Sequence, residues 1–76
     1  MIVFDISEEP IELYKILKLE NLVTSGGEAK FVITEGLVSV NGKIETRKRK
    51  KIVAGDTITF GKETIHVKHD EKLNPS

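Results

Sequence analysis

The sequence predicts an α+β domain in which two short helices pack together and against one side of a small, mostly antiparallel sheet. Three observations predict it. Ile2, Phe4 and Ile6 alternate with Val3 and Asp5, the period of a strand with one buried face. Two stretches, 9–19 and 26–35, carry apolar residues at helical spacing. Beyond Gly36 the chain breaks into short β-prone runs separated by Asn41-Gly42, Gly55-Asp56 and Gly61. At 76 residues the chain is expected to form one domain over 1–68, with a frayed polar tail at 69–76. A domain of this size buries only about 60% of the surface its unfolded chain exposes, so a deep catalytic cleft is not expected.

The elements follow in order. Ile2–Ile6 reads as a strand. Ser7-Glu8-Glu9-Pro10 reads as a helix start: Ser7 can cap, the two acids suit the positive end of the helix dipole, and proline is tolerated in a first turn. The first helix is then expected from about Glu9 to Leu19, with Ile11, Tyr14 and Leu17 on its apolar face, joined by Leu13 and Ile16. Leu22 and Val23 pin a tight connection into the core. Ser25 to Glu28 has capping-box form, in which the Ser and Glu side chains satisfy each other's backbone amides. The second helix is expected from about Gly26 to Glu35, packing through Ala29, Val32 and Ile33 and stopping at Gly36.

Leu37 to Val40 reads as a strand, Asn41-Gly42 as a type I′ hairpin turn, and Lys43 to Thr46 as the returning strand. Arg47 to Lys51 has no apolar residue and reads as an exposed loop or irregular edge. Ile52-Val53 re-enters the core. Thr57 to Phe60 and Thr64 to Lys68 form a second hairpin, with Phe60 expected opposite Ile65 and Ile58 opposite Val67.

Composition narrows the function classes. The chain has no cysteine, which excludes disulfides and cysteine zinc sites and fits a reducing compartment. Met1 to Phe4 is apolar but lacks a basic n-region and meets Asp5 at once, so no signal peptide is expected. Nothing reaches transmembrane length, and the expected location is the cytoplasm, away from membranes. Enzyme signals are poor. His66 and His69, three apart on an extended chain, do not present one metal-binding face, and there is no Ser-His-acid spacing. No catalytic residue, metal or cofactor is expected.

The net charge is zero, but it is segregated. Lys30 to Lys51 contains seven basic residues and two acidic ones, so that span carries +5 and the remainder −5. Such a field can orient a polyanion. Gly26 and Gly27 open a helix whose free amides point outward with partial positive charge, and a phosphate can approach a glycine closely. Their alternative role is to allow a tight helix–helix turn. Lys30 lies one turn on. Arg47, Lys48, Arg49, Lys50 and Lys51 repel one another and add nothing to a core. Arginine gives forked phosphate contacts and lysine a point charge. Their alternatives are a solvated loop or a nuclear-localisation signal. Lys15 and Lys18 share one exposed side of the first helix and matter if that side borders the opening of the second. Phe31 lies off the apolar stripe and reads as half-buried rather than as a base-stacking platform. Tyr14 reads as core.

These residues resemble a known family. Ser25-Gly26-Gly27-Glu28-Ala29-Lys30, then Ile33, then Gly36 to Lys43, then Val53-Ala54-Gly55-Asp56, is similar to the αL RNA-binding motif of the S-four-type domain. The match spans roughly Leu13 to Phe60. Where that family usually has Ser-Arg-x-x-Ala-Arg, this chain has Gly26 and Lys30, leaving backbone amides to serve at the first position. The Ser-Gly-Gly-x-Ala-Lys form followed by a basic run resembles the small stand-alone bacterial members, the YbcJ-like proteins. The resemblance implies binding to structured RNA, ribosomal or transfer. A monomer is expected, with ribosomal particles a candidate partner whose involvement the sequence leaves open. Taken with the charge pattern, the expected contact residues are Lys15, Lys18, Ser25, Gly26, Gly27, Lys30, Asn41, Lys43, Arg47, Lys48, Arg49, Lys50 and Lys51. The competing reading is a protein-interaction module that offers the basic loop or a sheet edge to an acidic protein partner.

Overall fold

In the computed structural model, which describes residues 1–69, alternation and turn chemistry set most of the element boundaries. The chain runs β1 (Ile2–Ile6), β2 (Ile11–Glu12), α1 (Leu13–Leu19), α2 (Gly26–Thr34), β3 (Val38–Val40), β4 (Lys43–Ile44), β5 (Lys51–Ile52), β6 (Thr57–Phe60) and β7 (Glu63–His69). Five strands form one sheet in the order β1-β7-β6-β3-β4, and β2 pairs with β5 in a separate ladder. β1 and β7 run parallel, with Ile2 opposite Ile65 and Ile6 opposite His69. The other pairs are antiparallel. This is the α+β class expected. Among the described residues no helix is long and apolar enough to cross a membrane.

The period of two decides which sheet face is covered. Ile6, Val38, Val40, Ile58, Ile65 and Val67 are buried, while Val3, Asp5, His66 and Lys68 on the alternate positions are exposed. The covered face joins one apolar cluster with Leu13, Ile16 and Leu17 of α1 and Ala29, Val32 and Ile33 of α2. The α2 stripe is therefore where the spacing put it; on α1 Leu13, Ile16 and Leu17 are buried, but Tyr14 is half-buried and Ile11 precedes the helix. Gly36 ends α2 at φ 78°, in the left-handed region expected of a C′ glycine.

α1 starts later than expected. Ser7, Glu8 and Glu9 lie outside it, and Ile11–Glu12 is instead a strand, with Ile11 opposite Ile52 and Glu12 opposite Lys51. The physical reason is non-local. The first amides of α1 are satisfied by a distant backbone: Leu13 N–H donates to the Lys50 carbonyl at 2.9 Å and Tyr14 N–H to the Lys48 carbonyl at 3.2 Å. No local side-chain cap is needed or present. The Glu9–Pro10 peptide is cis.

The second hairpin is tighter than expected. Phe60 faces Glu63, Ile58 faces Ile65 and Thr57 faces His66, around a two-residue turn with Gly61 at φ 61°. Glycine in the first position of a two-residue hairpin turn is the type II′ preference, and it displaces the expected register by two residues. An even displacement keeps every side chain on its face, so Ile58, Ile65 and Val67 are still buried. β7 runs on through His69, whose Nε2 meets Glu9 Oε1 at 2.8 Å, so His69 belongs to the sheet and not to a tail. The rest of the expected tail lies outside the described residues. Val53 is 40% exposed, and Ile52 alone of that pair enters the core.

The first hairpin turn is tied to the turn before β6. Asn41 and Gly42 sit at φ 53° and 85°, the left-handed pair a type I′ turn requires. The Asn41 amide nitrogen donates to Asp56 Oδ1 at 2.9 Å, and its amide oxygen accepts from Thr57 N–H at 2.9 Å. Asp56 Oδ2 accepts from Val53 N–H at 3.0 Å. The recurring Asn-Gly and Gly-Asp signals are thus two halves of one joint. Asn41→Ala removes both side-chain bonds and puts a Cβ residue without a local hydrogen bond in the left-handed region. It should lower stability by about 2 kcal/mol. Asn41→Gly relieves the backbone and should cost less. Urea denaturation measures both, and equal midpoints for Asn41→Ala and the parent would contradict this account.

Candidate nucleic-acid interface

The basic run is fastened at Lys48 and Lys50 by its backbone, and at Arg47 by a side chain. Because the Lys48 and Lys50 carbonyls accept from α1, the loop lies across the N-terminal end of that helix. Lys48 and Arg49 are exposed and Lys50 is half-buried. Lys51, expected in the loop, is part of β5 and faces Glu12 across the ladder. Lys43, Arg47 and Lys50 share a cleft of about 350 Å³ with Val40, Asn41 and Glu45. Asn41 lines that cleft with its amide already committed at both ends.

Arg47 is not a free cation. Its Nε and Nη2 donate to the two carboxylate oxygens of Glu45 at 2.9 and 3.2 Å, and its backbone N–H donates to Oε2 at 3.0 Å. Glu45 is the sheltered partner, its side chain 13% exposed against 72% for Arg47. The forked pair closes the turn that launches the basic run. The sequence analysis missed this role of Glu45, although an acid two residues before an arginine was there to be seen.

The second cluster lies where α1 and α2 meet. Ser25 caps α2 as expected, its Oγ accepting from Glu28 N–H at 3.1 Å. The reciprocal half differs from a capping box: Glu28 Oε1 accepts from the amide and hydroxyl of Thr24, at 2.6 and 2.7 Å, one residue earlier. Those bonds, the amide's first, hold the Glu28 carboxyl below the usual carboxylate range. Neither Gly26 nor Gly27 is required by packing. A Cβ on Gly26 would meet Tyr14 at 4.0 Å and one on Gly27 would meet Ser25 Oγ at 3.8 Å, both ordinary contacts. The tight-turn explanation for the two glycines therefore has no steric basis.

Tyr14 is half-buried and not core. The Lys30 ammonium stands 4.7 Å from its ring centroid and that of Lys15 5.9 Å, within cation–π range. Lys15 also pairs with Glu12 at 3.4 Å. Tyr14, Lys15, Lys18, Leu19 and Gly26 line one groove, so the lysine side of α1 does border the opening of α2. Phe31, expected half-buried, is 60% exposed. The cluster at α2 and the cleft at the hairpin line separate depressions. The loop bonded to Leu13 and Tyr14 is the bridge between them.

Charge state follows from the Arg47–Glu45 geometry. The side-chain hydrogen bonds from Arg47 are the largest cause holding the Glu45 carboxyl below its usual range; partial burial opposes them, and the charges of Arg47 and Lys50 add to them. A folded-state value below the unfolded one contributes stability that is complete above the unfolded pKa, about 4.3, and is lost as pH falls through the lower folded value. Glu45→Gln should therefore have a lower urea midpoint than the parent at pH 7. The gap should close as pH falls from about 5 to 3. A gap that stays constant over that window would show that the ion pair does not carry it.

The S4 domain family profile matches residues 4–68. YbcJ of Escherichia coli (strain K12) is 47% identical over 68 residues, spanning 88% of this chain and 97% of the relative. A Bacillus subtilis (strain 168) protein named Probable ribosome maturation protein RlbA is 38% identical over 53 residues, spanning 70% of this chain and 75% of the relative. The solution structure of YbcJ from E. coli, described as revealing an αL motif involved in RNA-binding, matches with a TM-score of 0.70 at 46% identity, covering 90% of this chain and 87% of that one.

Proposed function

The chain belongs to the S4 domain family, and on that premise we propose that it binds structured RNA by reading backbone and shape. The observation that carries the reading is the basic loop whose carbonyls are committed to α1, with Lys48 and Arg49 exposed and Lys50 lining the hairpin cleft. Lys43 and Lys51 flank them. The opening of α2, with Gly26, Gly27 and Lys30, adds outward amides and a charge at the other end of the surface. Ser25 and Asn41 act here by shaping the backbone. Lys15 and Lys18 extend the cationic surface along α1. Arg47 contributes one face of its guanidinium while Glu45 holds the fork. Ribosomal or transfer RNA is the proposed class. The name of the B. subtilis relative supports a ribosomal RNA and an association with ribosomal particles.

A surface of this kind contacts phosphates at fixed spacing and carries no base code. If about five phosphates are neutralised, log K against log salt should slope at about −4. Changing Arg47, Lys48, Arg49 and Lys50 together to serine should weaken binding and flatten that slope in a fluorescence-anisotropy titration with a labelled structured RNA. An affinity insensitive to salt would rule the mechanism out. Gly27→Ala separates binding from folding. It should raise stability, by up to about 1 kcal/mol, because alanine is the better helix former and nothing obstructs its Cβ. It should also lower RNA affinity, because the methyl group stands where a phosphate approaches. Tighter or unchanged RNA binding by a stabilised Gly27→Ala variant would remove the helix opening from the interface.

A further inference from the structure

The groove between α1 and α2 does not look like a phosphate site alone. It has a volume of about 290 Å³ and is lined by Tyr14, Lys15, Lys18, Leu19 and Gly26. Leu19 is 58% exposed, although Ile16 and Leu17 on the same helix are fully buried. A single exposed leucine is ordinary surface. This one lies beside a half-buried tyrosine whose ring already carries two ammonium groups, and on the same helical stripe as Lys15. Apolar and cationic side chains thus line one depression. Phosphates use only the lysines. Leu19 and the Tyr14 ring match the flat face of a nucleobase, which stacks on apolar and aromatic side chains with little regard to sequence. A base inside an uninterrupted duplex is stacked and paired and cannot reach such a depression, whereas a bulged or looped one can.

We infer, resting on the RNA-binding reading above, that this groove takes one unpaired nucleotide, with its base against Leu19 and Tyr14 and its flanking phosphates on Lys15 and Lys18. The ligand class is then a stem interrupted by an unpaired nucleotide, and not a continuous duplex.

The test uses the full chain and two fluorescein-labelled hairpin RNAs that differ by one unpaired adenosine in the stem. The parent should bind the bulged hairpin about tenfold more tightly, the scale of one stacked base. Leu19→Ser should bring the ratio to about one while leaving affinity for the uninterrupted stem unchanged. Leu19→Met, which keeps the apolar contact, should retain the preference. Lys48→Ser with Arg49→Ser should weaken both RNAs and keep the ratio. Equal affinities of the parent for the two hairpins would overturn the inference and leave backbone binding standing. So would a preference that survives Leu19→Ser. Failure to bind either hairpin would overturn the RNA reading and this inference with it. Far-UV circular dichroism and a urea midpoint confirm that each variant is folded.

Discussion

Two hydrogen bonds decide how the rest of the molecule is used: Leu13 to the Lys50 carbonyl and Tyr14 to the Lys48 carbonyl. A helix N-terminus must find acceptors for its first amides, and here it takes them from a loop more than thirty residues away in sequence. The loop gains a fixed path in return. Five adjacent cations would otherwise repel one another into an extended, fluctuating segment. Held by its carbonyls, the segment keeps the side chains of Lys48, Arg49 and Lys50 for solvent and for a polyanion. The Ile11–Ile52 and Glu12–Lys51 pairs continue the same seam, so α1, β2, the loop and β5 form one unit. Binding to such a unit is proposed to be inexpensive in ordering entropy, because the backbone is already placed.

The acids near this surface have structural duties that explain why they are tolerated there. Glu45 holds Arg47, Glu28 holds Thr24 at the start of α2, and Glu12 pairs with Lys15 and faces Lys51. Each is occupied by a specific neighbour. The +5 of the span already subtracts Glu45, and with Arg47 held by that carboxylate the positive charge of the hairpin and loop rests on Lys43, Lys48, Arg49 and Lys50, with Lys30 on α2. A partner meets separate charged points at set spacing and not a diffuse positive cloud, which favours shape over charge alone.

What was legible in the sequence was what local chemistry decides. Gly36 had to stop α2 because the left-handed conformation there excludes most side chains. Ser25 had to cap it, Asn41-Gly42 had to turn, and Ile2, Phe4 and Ile6 had to share a face. What was not legible depends on a partner far along the chain. Ser7 and Pro10 looked like a helix start because nothing nearby announces that Ile11 pairs with Ile52. The β6–β7 register was off by two because apolar matching admits any even shift, and only Gly61 selects one. Tyr14 looked like core by spacing. That its ring would line a groove under Lys30 could be known only once α2 was packed on α1. Of the interface, the cations were legible by type, but not the carboxylate that occupies Arg47 or the carbonyls that fix the loop.

The parallel pairing of β1 with β7 has a consequence for how the chain folds. Ile2 meets Ile65, and Ile6 meets His69, so β1 has no strand to bond until the far end of the described chain returns to it. Ile6 is buried at that seam, with Ile2 and Phe4 packed against the same cluster. The other strand pairs join partners closer in sequence. The β1–β7 pair therefore closes the longest loop of the described sheet and carries the largest closure entropy, whereas the seam that holds the basic loop uses neither of these strands.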